Sequence, residues 1–170
     1  MCNGTGMELD PQTFKDTLSH FPSGVTVVTS LANGIPSGMT VSAFAAVSVT
    51  PPRVSICVSD EAETRQVIES SRSFAVHILG CSQAELGLRF AQLLPEVPTP
   101  FAGLGYSTAA TGSPILAGCV AWLDCVLEST VTVGDHKLFI GTPIAANARD
   151  SDEAAIIYYE RNWRTLAPLG

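Results

Sequence analysis

Four short strand-like stretches follow one another between residues 25 and 59, and the turns between them are too short to hold a helix. They read "VTVVTS", "SGMTVSAF", "AAVSVTP" and "RVSICVS", with breaks at "ANG" and at Pro51-Pro52. This spacing predicts antiparallel strands that are joined by hairpins and a bend. A doubly wound parallel sheet would need strands and helices in regular alternation, which this half of the chain lacks.

Three helices are predicted around these strands. Asp10 is a good N-cap and Pro11 a good first helical residue, and the apolar positions 14, 18 and 21 predict a face that packs inward. "EAETRQVIESS" is the second helix, with Val67 and Ile68 on its buried side. In "SQAELGLRFAQLL", Ser82 and Glu85 have the spacing of a capping box.

The second half of the chain adds further strands and one long irregular segment. "FAVHIL", "GCVAWLDCVLESTVTV" and "HKLFIGTPIAANAR" read as strands, and Gly134-Asp135 predicts a tight hairpin between the last two. Residues 95–114 are rich in Pro, Gly, Ser and Thr and form a candidate lid. A short strand near the C-terminus carries Tyr158, Tyr159 and Trp163. The pattern predicts a mainly β protein with helices, in which an antiparallel barrel carries the attached helices.

Composition narrows the class of protein. The chain has 170 residues, which predicts a single domain over 1–170 with residues 1–9 flexible. Hydrophobic residues make up 46% and charged residues only 15%, so we expect part of the surface to be buried in a second subunit. The net charge of −7, with scattered basic residues, argues against nucleic-acid binding.

The same composition bears on location and metals. No apolar run is long enough for a membrane span and no signal peptide is visible, so a cytoplasmic protein is expected. The five cysteines are expected to be reduced thiols, and no metal site is expected because Cys and His do not cluster at short spacing.

A repeated motif raises a question about residues 35–44. "FPSGVTVVTS" is echoed fourteen residues later by "IPSGMTVSAF", but the second copy turns small and hydroxylated at Thr40, Ser42 and Ala43. Close approach of the backbone to an anionic ligand is one explanation, because turn amides and hydroxyls can hold a phosphate without lysine. A crowded sheet corner, or an ordinary polar sheet face, is the other.

Two further side chains are candidates for ligand contact. His136 follows Gly134-Asp135 at the predicted hairpin, where it is either an exposed turn histidine or a hydrogen-bond donor to a ligand. Arg89, in Arg89-Phe90-Ala91, is either solvated helix surface or a phosphate contact. His77 is interpreted as a polar-face strand residue, and neither it nor His20 is a catalytic candidate.

Taken in order, these segments resemble the flavin reductase family of the flavin-binding split barrel, whose members serve as the small reductase component of two-component flavin monooxygenases. The resemblance covers about residues 12–166. It rests on "FPSGVTVVTS", "GMTVSAFAAVSVTPPRVSICVS", "SFAVHIL", "LRFA", "FAGLGYSTAATGSPIL", "AWLDCVLESTVTVGDHKLFIGTPI" and "IIYYERNWRTL".

The resemblance implies a six-stranded antiparallel Greek-key split barrel of the FMN-binding type, a homodimer with flavin at the subunit interface. The cofactors would be FMN or FAD, with NADH or NADPH as co-substrate, and hydride would pass from nicotinamide to flavin N5. His136 would lie near the nicotinamide and orient its carboxamide or the flavin edge, without carrying the hydride. Reduced flavin would then pass to a partner monooxygenase. The flavin-binding positions implied by the resemblance are Met39, Thr40, Val41, Ser42, Ala43, Cys57, Val58, Ser59, Thr64, Arg89, Phe90, Ala91 and Tyr158.

Two other classes of function stay open on the sequence. One is a flavin-dependent enzyme that acts on an organic substrate beneath a lid formed by residues 95–114. The other is a non-catalytic, dimeric flavin-binding protein. A reductase oxidises NADH when flavin is added and releases reduced flavin, whereas the other two classes would not.

Overall fold

The structure is a computed structural model that describes residues 9–167. The expectation that residues 1–9 are flexible therefore lies, apart from Leu9, outside the described residues. The helices are α1 (Pro11–Ser19), α2 (Glu63–Ser71) and α3 (Ala84–Phe90), with a 3-10 turn at Cys81–Gln83 before α3. The strands are β1 (Ser23–Gly24), β2 (Thr26–Ala32), β3 (Ile35–Val41), β4 (Phe44–Val49), β5 (Pro52–Ser59), β6 (Ser73–Ile78), β7 (Tyr106–Thr108), β8 (Pro114–Leu116), β9 (Ala121–Val133), β10 (His136–Ala148), β11 (Ile156–Tyr159) and β12 (Asn162–Thr165).

The main sheet is antiparallel and has seven strands in the order β3-β2-β6-β9-β10-β5-β4. The mainly β, antiparallel class is therefore confirmed, but the six strands that the resemblance implied become seven. The sheet is not closed, since β3 and β4 are its two edges. Only Ser42 and Ala43 separate these edges along the chain, and two residues span less than about 10 Å. The sheet must therefore curl so that the end of β3 lies near the start of β4, at a seam formed by Ser42 and Ala43, and the Cys57 amide extends the β4–β5 pairing to the Ala43 carbonyl (3.0 Å).

The core fills the inside of the curled sheet. Val28, Ile56, Phe74 and Phe139 are fully buried there, and Ile68 of α2 packs against them. A second cluster of buried residues, which includes Val27, Leu79 and Phe90, lies between the sheet and α3. The interior position of β2 explains why the first copy of the repeated motif is apolar, whereas the second copy, β3, lies at an edge.

The repeated motif forms a hairpin. Thr26 pairs with Val41 and Val28 with Met39 across β2 and β3, and the turn passes through Asn33-Gly34 with positive φ at both residues. The predicted hairpin at Gly134-Asp135 is also present, between β9 and β10.

Two predictions about the helices are wrong. The apolar face of α1 does not pack inward, because Phe14 is 51%, Leu18 53% and Phe21 74% exposed. The contacts of α1 lie elsewhere: its C-terminal Ser19 carbonyl accepts from the Glu160 amide, and Asp16 pairs with Arg161.

The capping box at Ser82 is the second error. The Ser82 amide and hydroxyl both donate to the Glu153 carboxylate, so the hydroxyl is not available to cap α3, which begins at Ala84. The C-terminus also differs from the sequence prediction, since β11 and β12 form a two-stranded hairpin where one strand was predicted. Within residues 9–167, no helix is long and apolar enough to cross a membrane.

Candidate functional site

A cleft of about 1030 Å³ opens beside β3. Its walls are β3, the start of α2, the end of α3 with the segment that follows it, and the β11–β12 hairpin. The sequence predicted a ligand site on several of these elements, and the structure brings seven of the predicted residues together here. They are Met39, Thr40, Ser42, Thr64, Phe90, Ala91 and Tyr158.

The edge position of β3 supplies the main polar groups of this cleft. β3 pairs only with β2 in the sheet order, so half of its backbone N–H and C=O groups point away from the sheet. Backbone amides of this kind can bind an anion or a heterocycle edge without a charged side chain. The predicted use of main-chain donors around residues 39–43 is consistent with this geometry.

Gly38 is needed for packing rather than for backbone freedom. A Cβ at this position would lie 2.7 Å from Cε1 of Phe90 and 2.9 Å from the Val28 carbonyl oxygen. Phe90 is fully buried, so the ring has little room to move aside. The glycine therefore lets α3 approach β3, and this contact sets the depth of the cleft.

The hydroxyl groups of the cleft are partly engaged within the protein. The Thr40 hydroxyl donates its proton to the Gly87 carbonyl (2.6 Å). It can therefore accept a hydrogen bond from a ligand but cannot donate one, although the sequence had suggested a donor at this position. Ser37 and Thr64 are hydrogen-bonded to each other through their hydroxyls (2.9 Å). Ser42 is exposed at the seam of the sheet.

A second, smaller cavity of about 470 Å³ lies on the other side of the seam. Three predicted residues line it: Ser42, Ala43 and Cys57. Ser42 lines both cavities, so the seam separates them. The Val41 and Val58 side chains are instead buried in the core, and only their backbone could serve a ligand.

His136 lies at the start of β10, opposite Ser59 at the end of β5. Its Nδ1 is 2.8 Å from Oδ1 of Asp135, and this hydrogen bond lowers the pKa of the Asp135 carboxyl below its usual value. The Asp60 amide donates to the Asp135 carbonyl, which connects this hairpin to the segment between β5 and α2. Neither His136 nor Ser59 is among the described residues that line the two cavities.

Arg89 also lies outside the lining of the cleft. Its Nε donates to the Pro100 carbonyl (2.7 Å) and its Nη2 to the Ala102 carbonyl. The contact with a phosphate that the resemblance implied stays a prediction.

The charge of the cleft is negative. Glu61 and Glu63 line it, and no lysine, arginine or histidine does so among residues 9–167. Asp60 lies 3.8 Å from Arg65 and 3.9 Å from Lys137, so its carboxylate is partly balanced by cations outside the cleft.

The sequence interpretation of His77 was wrong, because this side chain is fully buried. Its Nδ1 bonds the Val27 carbonyl (3.0 Å) and its Nε2 accepts the Leu116 amide (3.1 Å), which fixes a neutral ring with the proton on Nδ1. Burial lowers the pKa of His77 to about 4. The residue connects β2 to β8 and is structural. Trp163, which lines the cleft, was noted in the sequence as a strand residue only.

A curled antiparallel sheet, with a large cleft on an edge strand and backbone donors, hydroxyls and aromatic rings in its walls, is a fold of the split-barrel type whose cleft suits an aromatic ligand. No nucleophile with a base beside it occurs among the described lining residues.

Comparison with known proteins agrees with this class. The flavin reductase like domain family matches residues 18–167, and the chain belongs to this family. It is 32% identical over 160 residues to the reductase subunit HsaB of a flavin-dependent monooxygenase from Rhodococcus jostii (strain RHA1), covering 94% of this chain and 80% of that protein. It is 32% identical over 161 residues to an NADH:FMN oxidoreductase from Rhodococcus qingshengii, covering 92% of this chain and 82% of that protein.

A solved structure agrees as well. The Streptomyces globisporus NADH:FAD oxidoreductase SgcE6 superposes with a TM-score of 0.84 at 33% identity, covering 95% of this chain and 98% of that one.

Proposed function

We propose that this protein is an NAD(P)H:flavin oxidoreductase that transfers hydride from reduced nicotinamide to FMN or FAD and supplies reduced flavin to a partner monooxygenase. The family supports the reaction, and the relatives named above support each cofactor. The HsaB relative, a reductase subunit of a monooxygenase, supports the partner.

The cleft on the edge of β3 is the observation that carries this proposal. Its volume of about 1030 Å³ is at the upper end of the range for ligand sites and leaves room for two ring systems. The donor set also fits a flavin, because backbone amides of β3 suit the ring edge and the hydroxylated tail. The tail phosphate would be held by backbone amides and hydroxyls, since the described lining residues include no cation.

The residues of this chain would act by binding and orientation. We place the flavin against the backbone of residues 39–43, with Thr64 toward the tail and Phe90, Ala91 and Tyr158 around the rings. Cys57 and the backbone of Val58 and Ser59 would border the ring from the other side of the seam. When bound, the flavin accepts a hydride that reduced nicotinamide supplies, so no protein nucleophile is required.

His136 would orient the nicotinamide through a hydrogen bond. Its Nδ1 is held by Asp135, so Nε2 would be the ring nitrogen that meets the substrate amide. Its side chain is 43% exposed, which leaves it accessible to a substrate.

We also propose that the chain is one flavin reductase-like domain, forms a homodimer and functions in the cytoplasm. Apolar side chains that the protomer leaves exposed support the dimer, among them Phe14, Phe21, Val49, Val131 and Val133. The four described cysteines, Cys57, Cys81, Cys119 and Cys125, are unpaired, which suits a reducing compartment.

An anaerobic stopped-flow experiment tests the proposed reaction. The protein is mixed with NADH, or in a parallel run NADPH, and an excess of FMN, FAD or riboflavin, and flavin absorbance is followed. We expect many equivalents of added flavin to be bleached per protein, at a rate that grows with protein concentration. A protein that bleaches none of the three flavins above the protein-free rate would refute the function. A protein that holds one flavin through purification and reduces only that equivalent would indicate a substrate enzyme instead.

A further inference from the structure

The segment between α3 and β7 forms one wall of the cleft. We call residues 95–105 the strap. Pro98, Thr99, Pro100 and Phe101 of the strap line the cleft. Two turns shape it, since the Ala102 amide donates to the Thr99 carbonyl and the Leu104 amide to the Phe101 carbonyl, each at 3.0 Å. The strap therefore has a defined conformation rather than that of a loose loop.

Arg89 holds the strap from the last turn of α3. The guanidinium donates from Nε to the Pro100 carbonyl (2.7 Å) and from Nη2 to the Ala102 carbonyl. These two carbonyls lie on either side of Phe101, so the planar fork grips the strap at the residue that reaches into the cleft. A charged donor makes such hydrogen bonds stronger than neutral pairs.

The ring between the two held carbonyls has its own contacts. Phe101 lies edge-on to Phe90, with centroids 5.2 Å apart and planes at 90°, and edge-on to Tyr106 at 5.6 Å and 80°. Phe90 is fully buried and fixed against Gly38, so it gives the strap a rigid base. Arg89 and Phe90, neighbours in sequence, therefore hold Phe101 in place, one through the adjoining backbone carbonyls and the other through its ring.

We propose that Arg89 is a positioning residue that fixes the strap as a wall of the flavin cleft, and that it does not bind the flavin phosphate. Two of its nitrogens already donate to the strap, and the residue does not line the cleft. The inference rests on the proposed flavin site. Loss of the two Arg89 hydrogen bonds would release Pro100 and Phe101. Binding of every flavin would weaken alike, because the strap would contact the ligand whether or not the flavin tail carries a phosphate.

The test compares Arg89→Gln and Arg89→Lys with the unmodified protein, using riboflavin and FMN at saturating NADH. A strap that is closed only part of the time raises the KM by the reciprocal of the closed fraction, so we expect about a tenfold rise for both flavins, with kcat nearly unchanged. Lysine is expected to restore little, because its compact ammonium cannot reproduce the fork. Arg53→Gln, which removes a guanidinium near the start of β5 that lines neither cavity, is the control and is expected to leave both KM values unchanged.

A second readout does not depend on flavin. Hydrogen exchange of the unliganded protein is expected to be faster at the Ala102 and Leu104 amides in both Arg89 variants, and unchanged in β6. Phe101→Leu, which keeps the arginine and removes the edge-on ring contacts, is expected to raise the KM for both flavins as well. It keeps the test open if the Arg89 variants fold poorly.

Three outcomes would overturn the inference. The first is that Arg89→Gln raises the KM for FMN but leaves the KM for riboflavin unchanged. The second is that Arg89→Lys has the normal KM for FMN. The third is that hydrogen exchange at the Ala102 and Leu104 amides is unaltered in the Arg89 variants. The first two would establish a phosphate contact at Arg89. An unmodified protein that bleaches no flavin would instead refute the proposed function, so the two failures are distinguishable.

Discussion

Replacement of Gly38 by alanine is expected to destabilise the fold through one defined steric conflict. The added Cβ would lie 2.7 Å from Cε1 of Phe90 and 2.9 Å from the Val28 carbonyl oxygen, and the second atom belongs to the backbone of β2, the strand that pairs with β3. Phe90 is 1% exposed, so relief requires movement of α3. Overpacking of this kind costs about 1–3 kcal/mol of folding stability. Alanine also lowers the conformational entropy of the unfolded chain, but this stabilises the fold by only roughly 0.4–1 kcal/mol.

Gly24→Ala is the matched control, because a Cβ at Gly24, also in a strand, meets nothing within 4 Å. Urea denaturation followed by circular dichroism is expected to give a free energy of unfolding for Gly38→Ala about 2 kcal/mol below that of the control. In the Gly38→Ala, Phe90→Leu double variant, the two losses are expected to be less than additive, since the smaller side chain makes room for the new methyl. Equal stabilities at the two glycines, or strict additivity with Phe90, would show that the contact with α3 does not fix this position.

Three other predictions follow from the charged and titratable groups. In the folded protein the pKa of His77 is lowered to about 4, so below pH 6.5 the unfolded chain binds a proton at this residue more readily than the folded protein does. The free energy of unfolding is therefore expected to fall as pH decreases from 6.5 toward 4, by up to about 3 kcal/mol. His77→Gln should lose that part of the slope in denaturation midpoints measured across this range, and an unchanged slope would contradict a buried neutral histidine. Glu61→Gln with Glu63→Gln is expected to raise the ratio of kcat/KM for NADPH to that for NADH by about two- to fivefold at low salt, because two carboxylates facing the cleft repel the additional phosphate. An unchanged ratio would place that phosphate away from the acidic rim. His136→Ala is expected to raise the KM for NADH or slow flavin reduction in stopped-flow traces, and normal values of both would remove the residue from the site.

The sequence was sufficient for most of the elements, but residues 95–114, predicted as one irregular segment, contain β7 and the first residue of β8. Alternation and turn residues identified both hairpins, and the small hydroxylated run at residues 39–43 lies at the end of the edge strand that lines the larger cleft. The reason is that these features are local, since a hairpin depends on its own turn residues.

Errors arose where a side chain finds its partner far along the chain. Ser82 has the sequence pattern of a helix cap, but its hydroxyl donates instead to the carboxylate of Glu153, 71 residues away. His77 has the sequence pattern of a polar-face residue, but it is buried under β8, where it accepts a hydrogen bond from the Leu116 amide, 39 residues away. The two strap carbonyls that Arg89 contacts could not be predicted either, because only the folding of the strap brings them into reach, whereas the phosphate contact of Arg89 stays a prediction. Periodicity contains no information on such pairings.

The two explanations for the small residues of the second motif copy are compatible, because the seam imposes both. Two edge strands of one curled sheet are joined there by Ser42 and Ala43 alone, so the chain must turn sharply where the sheet would otherwise close. A large side chain at this turn would fill one of the two cavities that Ser42 lines. Closing the sheet by a ladder of hydrogen bonds would also use up the β3 amides on which the proposed flavin site depends. The open seam therefore leaves the β3 amides unpaired and available to the proposed flavin, and small residues allow the chain to cross it.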